Sequence, residues 1–170
     1  MTFWVEESIH PTKVMEAVMR IENKLSQMGL TLPDPGPPAG NYVGAVRVGE
    51  LLFVSGHGPR SQGQYITGKV GRDLNTEQAY EAAKVVMLNC LASVKRELGD
   101  LDRVKRVVKL LGMVNCTEDF TEHPKVINGG SDLLVALYGD QGRHARSAVG
   151  MQQLPMNIPV EIEMIVEVQE

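Results

Sequence analysis

Arg143, His144 and Arg146 fall within four residues, in RHARSAV (143–149), at the head of a run that reads as a buried strand. A guanidinium there has two chemical uses. It can pair with a carboxylate of the same chain, or it can grip the carboxylate of a ligand through two parallel hydrogen bonds, a geometry lysine cannot copy. The carboxylates for the first use stand on the last strand. Val160, Ile162, Met164, Val166 and Val168 alternate with Glu161, Glu163, Ile165 and Glu167, so one face is core and the other carries three carboxylates. That second face is either a solvated sheet surface or the wall of a pocket. An Arg146 ion pair with Glu161 or Glu163 and a carboxylate clamp fit the spacing equally well.

Other reactive side chains are scattered. His10, His57, His123 and His144 and the two cysteines show no metal-ligand spacing, so neither a metal nor a cofactor is expected. Cys90 falls on the apolar stripe of a helix and reads as core. Cys116 ends a strand with no placed base. GKVGRD (68–73) lacks the pattern of a phosphate-binding loop. KRELGDLDRVKRVVK (95–109) is basic in patches and reads as a solvated helix end and strand edge, or else as an RNA-contacting surface.

These residues need a scaffold. The spacing of Val14, Val18, Ile21, Leu25 and Met28 predicts a helix over 12–28, stopped by Gly29. LPDPGPPAG (32–40) holds four prolines in nine residues, which forbids regular structure. Two strands, 42–47 and 51–55, form a hairpin about Val48–Glu50. A glycine-rich excursion follows, from Gly56 to Gly71. Residues 76–98 form the longest helix, with Asn75 or Thr76 as cap, Ala79, Ala83, Val86, Cys90 and Val94 inward, and Gly99 as stop. A buried strand spans 106–115. A helix spans 124–138, with Pro124 in its first turn and Gly139 as its stop. Gly129 and Gly130 inside it each cost about 1 kcal/mol relative to Ala, which demands close packing in return. Residues 145–153 and 159–169 read as a closing hairpin around LPMNIP. The order implies an α+β fold with helices on one face of a mixed sheet. The 170 residues suggest one domain with an N-terminal appendage, 1–40, and a main body, 41–170.

Composition narrows the function classes. Seventeen basic against twenty-one acidic residues give a net charge of −4, which disfavours broad phosphate-driven nucleic-acid binding. The absence of an 18-residue apolar span argues against a membrane helix. MTFWVEESIHP has no apolar core of signal-peptide length, and two cysteines suit a reduced, cytoplasmic setting.

RSAVGMQQLPMNIPVEIEMIVEV resembles the C-terminal signature of the YjgF/RidA family, the reactive-intermediate deaminases once grouped as endoribonuclease L-PSP proteins. That signature runs Arg-Ser-x-Val, Leu-Pro, then an alternating strand with Glu-Ile-Glu. NYVGAV, LLFVSGHGP, VVKLLGMVNCTEDF and VIN resemble further family segments in the same order, so the likeness covers about residues 40–169. The N-terminal helix and proline loop lie outside the short family core and suggest a longer subgroup.

The resemblance implies a chorismate-mutase-like fold assembled as a homotrimer, with sites in clefts between subunits. It implies a small-molecule partner, a 2-imino or enamine acid such as 2-aminoacrylate, hydrolysed to a 2-oxo acid and ammonia. Arg146 would grip the substrate carboxylate and Glu161 would orient water. A glutamate near a guanidinium and a bound carboxylate meets opposing influences on its pKa. Tyr42, Ser55, Gly56, His57, Asn128 and Ala148 would line the pocket. Three positions depart from the family pattern. Ala148 stands where cysteine is frequent, so no thiol attacks from there. His57 replaces glutamine and reads as a pocket-wall or surface histidine, or else as a group that titrates near pH 6.5 and adds acid–base capacity. Asn41 replaces proline. Alternative functions are a non-catalytic binder of small carboxylates and a ribonuclease or translation inhibitor, for which the 95–109 run is the one support.

Overall fold

The computed structural model describes residues 19–38 and 40–169. Val14 and Val18 of the first expected helix lie outside those residues. The described part, α1 (Arg20–Gln27), buries Ile21 and Leu25. Met28, expected on the same stripe, is 44% exposed. The first turn of α1 is held by Asp102, whose carboxylate accepts from the amides of Arg20 and Ile21. Residues 30–38 then run without regular structure, as their prolines require.

Five strands form one sheet in the order β1-β2-β7-β5-β6. The strands β1 (Ala45–Val48) and β2 (Leu51–His57) are antiparallel. Their two-residue turn starts at Gly49, whose φ of +60° suits a glycine. Tyr42 precedes β1 and sits in a loop, not in the strand expected from 42. Within the excursion that follows, β3 (Arg60–Ser61) and β4 (Gln64–Tyr65) make a small separate hairpin.

The helix α2 (Thr76–Leu98) begins at Asn75. The Asn75 side chain accepts from the Gln78 amide while the Gln78 side chain accepts from the Asn75 amide, satisfying two otherwise orphaned donors. Gly99, at φ +80°, ends the helix. All five inward positions read from the sequence are fully buried. The strand β5 (Val104–Asn115) leads into α3 (His123–Tyr138), and α3 crosses over to β6 (Ala145–Met151). Both long helices cover one face of the sheet, as expected for the α+β arrangement.

The closing hairpin is not formed. The strand β6 runs parallel to β5, with Leu110 opposite Arg146. The last strand, β7 (Val160–Val168), inserts between β2 and β5, antiparallel to both. The physical reason is the crossover. A helix between two strands returns the chain to the starting end of the sheet, so the strands it joins are parallel. LPMNIP then carries the chain past β5 rather than turning it back on β6. The strand bearing the glutamates is therefore not adjacent to the strand bearing Arg146.

The glycine pair in α3 packs within the chain. A Cβ at Gly129 would collide with the Tyr80 carbonyl of α2, and one at Gly130 would lie 3.2 Å from Met87 Cε. Gly129 brings the two helices into backbone contact, and Gly130 makes room for Met87 and Ile162.

Candidate functional site

The side chains singled out in the sequence form two groups, separated by the middle of the sheet. The first lies where β6 meets α3. Leu110, the register partner of Arg146, is fully buried beneath the helices, so Arg146 points to the helix side of this edge strand. Its Nη1 donates to Asn128 Oδ1 at 2.8 Å and to Ser131 Oγ at 3.0 Å. Among the described residues no carboxylate pairs with it, which removes the ion pair with Glu161 or Glu163. Ser131 also meets His144 Nε2 at 3.0 Å, and His144 Nδ1 lies 2.6 Å from the Gly142 carbonyl. With the proton on Nδ1 the imidazole is neutral, accepting from Ser131, whose oxygen accepts from Arg146. Burial lowers the His144 pKa, the Gly142 carbonyl opposes that, and the Arg146 charge adds to the lowering. Ala148 follows on the same face, half-buried and opposite Gly112. Ser131 and His144 carry no motif of their own; their role shows only when α3 is laid against β6.

The second group lies around the end of β2. A bulge between Val54 and His57 leaves Ser55 and Gly56 out of register with β7. Ser55 Oγ donates to the Val43 carbonyl at 2.7 Å, so its hydroxyl fastens the loop that carries Tyr42. Tyr42 itself is 52% exposed. Gly56 faces the Glu161 carboxylate so closely that a Cβ would strike Oε1. A side chain there would require the Glu161 carboxylate to move. His57 is held at both nitrogens: Nδ1 is 2.6 Å from the Ser55 carbonyl and Nε2 is 2.7 Å from Ser93 Oγ. Burial lowers its pKa, the Ser55 carbonyl works against this, and Arg96 lowers it further. His57 therefore stays neutral at pH 7 rather than titrating near 6.5.

Glu161 faces away from the helices, opposite Met113. Burial raises its pKa, and neighbouring Glu163 raises it further. A half-buried carboxyl with a raised pKa is a stronger proton acceptor than an ordinary glutamate and can return the proton it takes. Within one chain it does not meet Arg146. The two stand on opposite faces of the sheet with β5 between them, two strand spacings or about 10 Å apart across the sheet and, from Leu110 to Met113, about another 10 Å along it. Asn128 and Ala148 lie with Arg146; Gly56 lies against Glu161, Ser55 and the loop of Tyr42 stand at the same end of β2, and His57, opposite Ile162, turns to the helix side against Ser93.

Both cysteines are free. Cys90 is fully buried, and burial pushes its thiol up. Cys116 does have a base: its Sγ lies 3.3 Å from His123 Nε2, at the first residue of α3, seven positions on. Burial raises this thiol as well, against the nearby Lys69 charge. Lys69, from GKVGRD, ties the loop to Asn115 Oδ1 and to the carbonyls of Cys116 and Gln152. Among the described residues no three His, Cys, Asp or Glu side chains converge as a metal site.

The family profile described as "YjgF/chorismate_mutase-like, putative endoribonuclease" matches residues 22–168, which takes in most of α1 and the proline loop. The Trypanosoma cruzi protein TCP17 is 43% identical over 150 residues, covering 87% of this chain and 94% of its own length. The crystal structure of Atu1372 from Agrobacterium tumefaciens, a protein of unknown function, superposes with a TM-score of 0.82. It is 45% identical, covering 92% of this chain and 95% of that one. RidA from an Antarctic Psychrobacter superposes with a TM-score of 0.56 at 26% identity, covering 80% and 96%.

Proposed function

Because this chain belongs to the YjgF/RidA family, we propose that it hydrolyses 2-imino or enamine acids, such as 2-aminoacrylate, to 2-oxo acids and ammonia. Family membership supports either a small-molecule deaminase or an endoribonuclease-like role. The observation that favours the first is the state of Arg146. Its Nη1 is fixed by two neutral acceptors, Asn128 and Ser131, so its charge is oriented but not neutralised. Such a guanidinium suits a ligand carboxylate. The basic run offered for RNA is largely engaged within the chain. Lys95 pairs with Glu22, Lys105 with Glu167, and Arg103 donates to the Leu98 carbonyl.

The chemistry needs little more than positioning and one proton carrier. With the carboxylate on Arg146, water attacks the imine carbon as Glu161 takes its proton. A carbon–oxygen bond forms and the π bond to nitrogen opens. The proton held by Glu161 passes to nitrogen and gives the carbinolamine; Glu161 then carries the hydroxyl proton to nitrogen, the carbonyl forms as the carbon–nitrogen bond breaks, and ammonia leaves a 2-oxo acid. The Arg146 group of one chain faces Glu161 and Gly56 of its neighbour in a homotrimer. We place the reaction in the cytoplasm, which suits two free thiols.

The test follows ammonia and 2-oxo acid from freshly generated 2-imino acids. Wild type accelerates their appearance over the spontaneous rate. Arg146→Ala loses roughly 10²-fold or more, and Arg146→Lys recovers only part of it, because an ammonium lacks the planar fork. No acceleration across a panel of imino acids sinks the hydrolase and leaves a carboxylate binder.

A further inference from the structure

We propose that Ser131 and His144 are positioning residues for the carboxylate clamp: they hold Arg146 with its Nε–Nη2 edge turned to the ligand, and they couple carboxylate binding to proton uptake at His144. This deepens the imine-hydrolase reading and rests on it for the role of Arg146. A guanidinium carries five N–H donors, two of them on Nη1. Both are spent within the chain, on Asn128 Oδ1 at 2.8 Å and on Ser131 Oγ at 3.0 Å. Among the described residues Nε and Nη2 hold no hydrogen bond. Nε–H and the neighbouring Nη2–H point the same way, and that edge takes a carboxylate by two parallel bonds. The chain therefore fixes one end of the group and leaves a forked edge open.

One acceptor sets the direction of every bond behind Arg146. His144 Nδ1 lies 2.6 Å from the Gly142 carbonyl, which can only accept, so Nδ1 carries a hydrogen in either charge state. Nε2, 3.0 Å from Ser131 Oγ, is then the ring atom that titrates. While Nε2 is bare, Ser131 donates to it and turns its lone pairs toward Arg146. Bonds that run head to tail in this way reinforce one another. When Nε2 takes a proton it becomes a donor, and Ser131 accepts from both neighbours. A second positive charge then stands one hydroxyl away from Arg146.

That second charge is the link to the ligand. Two cations bridged by one serine repel, and a carboxylate on Arg146 cancels the repulsion. An anion at Arg146 therefore favours the imidazolium, and the imidazolium favours the anion by the same factor. The other charged groups of the elements packed here are engaged elsewhere. Arg143, just before β6, pairs with Asp140 at 3.2 Å. On α3 the Asp132 carboxylate accepts from Tyr80 at 3.0 Å, and on β5 Lys109 donates to Ser147 at 3.1 Å. Burial holds His144 below its ordinary pKa, against the Gly142 carbonyl, and Arg146 is the charged group that adds to the lowering. His144 is therefore neutral at pH 7 while Arg146 is empty, and the proton arrives with the carboxylate. In the assembled cleft Glu161 of the neighbouring chain titrates as well, and a substitution at His144 leaves that contribution in place.

The experiment titrates 2-oxobutanoate, a stable 2-oxo acid, calorimetrically into wild type, Arg146→Ala, Ser131→Ala, Ser131→Thr and His144→Gln between pH 8 and pH 5. Buffers of different ionisation enthalpy report the protons taken up, and turnover of the alanine-derived imine is followed in parallel. Ser131→Ala weakens binding about tenfold and raises KM far more than it lowers kcat, because the chemical step belongs to Glu161 and water. Ser131→Thr keeps the hydroxyl and restores both. Wild type binds about fivefold or more tightly at pH 5 than at pH 8 and takes up a proton as it does so. The Gln side-chain oxygen accepts from Ser131 without titrating, so His144→Gln binds like wild type at pH 8 and loses most of that gain. If Arg146→Ala abolishes binding while Ser131→Ala and His144→Gln match wild type at every pH, the positioning role is overturned and the clamp stands. If Arg146→Ala binds as wild type does, the clamp falls and the positioning role with it. If binding shows these dependences but no imine is turned over, the positioning role stands and the hydrolase falls.

Discussion

Glu161 carries a cost that a purely structural residue would not. Burial and Glu163 both favour its protonated form. The folded chain then holds more protons than the unfolded chain between the ordinary glutamate pKa, about 4.3, and the raised folded value. Stability falls as pH rises through that window. Glu161→Gln removes the penalty. Its melting temperature should match wild type near pH 4 and exceed it at pH 7, while imine turnover drops roughly 10²–10⁴-fold. Thermal melts at the two pH values check the first half, and ammonia release checks the second. A melting temperature that falls at pH 7 means that an assembled neighbour supplies Glu161 with a cation. The Arg146 end works differently: its charge is offset by dipoles, from Asn128 and Ser131, rather than by a counter-ion. One group is held at an energetic disadvantage and the other is left unneutralised, as expected where ligands rather than neighbours complete the contacts.

At the scale of elements, the two helices and the sheet meet through small residues. Gly129→Ala would set a methyl against the Tyr80 carbonyl, and backbone cannot step aside. The loss should be about 1–3 kcal/mol despite the better helix propensity of alanine. Gly130→Ala meets the flexible end of Met87 instead and should cost less. Denaturant melts of the two variants check the order. These positions also show what the sequence could reveal. Two glycines inside an amphipathic helix announced close packing but not its partner, because a missing side chain leaves no trace of what fills its place. Strand β7 was legible from alternation alone, and α2 from its cap, stripe and stop. The pairing of β6 was not legible. A strand's pattern reports which faces are buried, whereas its neighbour is chosen by where the preceding helix returns the chain. The error moved Arg146 next to the glutamates and made an ion pair look natural. Likewise Cys116 read as a thiol without a base, because His123 approaches it only through the turn before α3.

The whole molecule leaves one sheet face uncovered. The side turned away from the helices exposes Val46, Val48, Leu51 and Phe53 at its β1–β2 end and Val149 and Met151 at its β6 edge, by 37–63% each, with the glutamates of β7 between the two patches. The half-site at β6 and the half-site at β2 lie toward opposite ends of that same sheet. A ring of copies satisfies both features, with each chain giving its β6 edge to one neighbour and its β2 side to the other. That arrangement makes a prediction no single-chain site shares. Arg146→Ala and Glu161→Gln are each expected to be inactive. Unfolded together, mixed in equal amounts and refolded, they form oligomers in which some clefts combine the intact Arg146 of one variant with the intact Glu161 of the other. Random assembly restores about a quarter of the clefts, and with them about a quarter of wild-type turnover. Separately refolded samples, mixed without exchange, recover none. If the co-refolded mixture also recovers none while sedimentation shows mixed oligomers, both residues act within one chain, and a large rearrangement across β5 must bring them together.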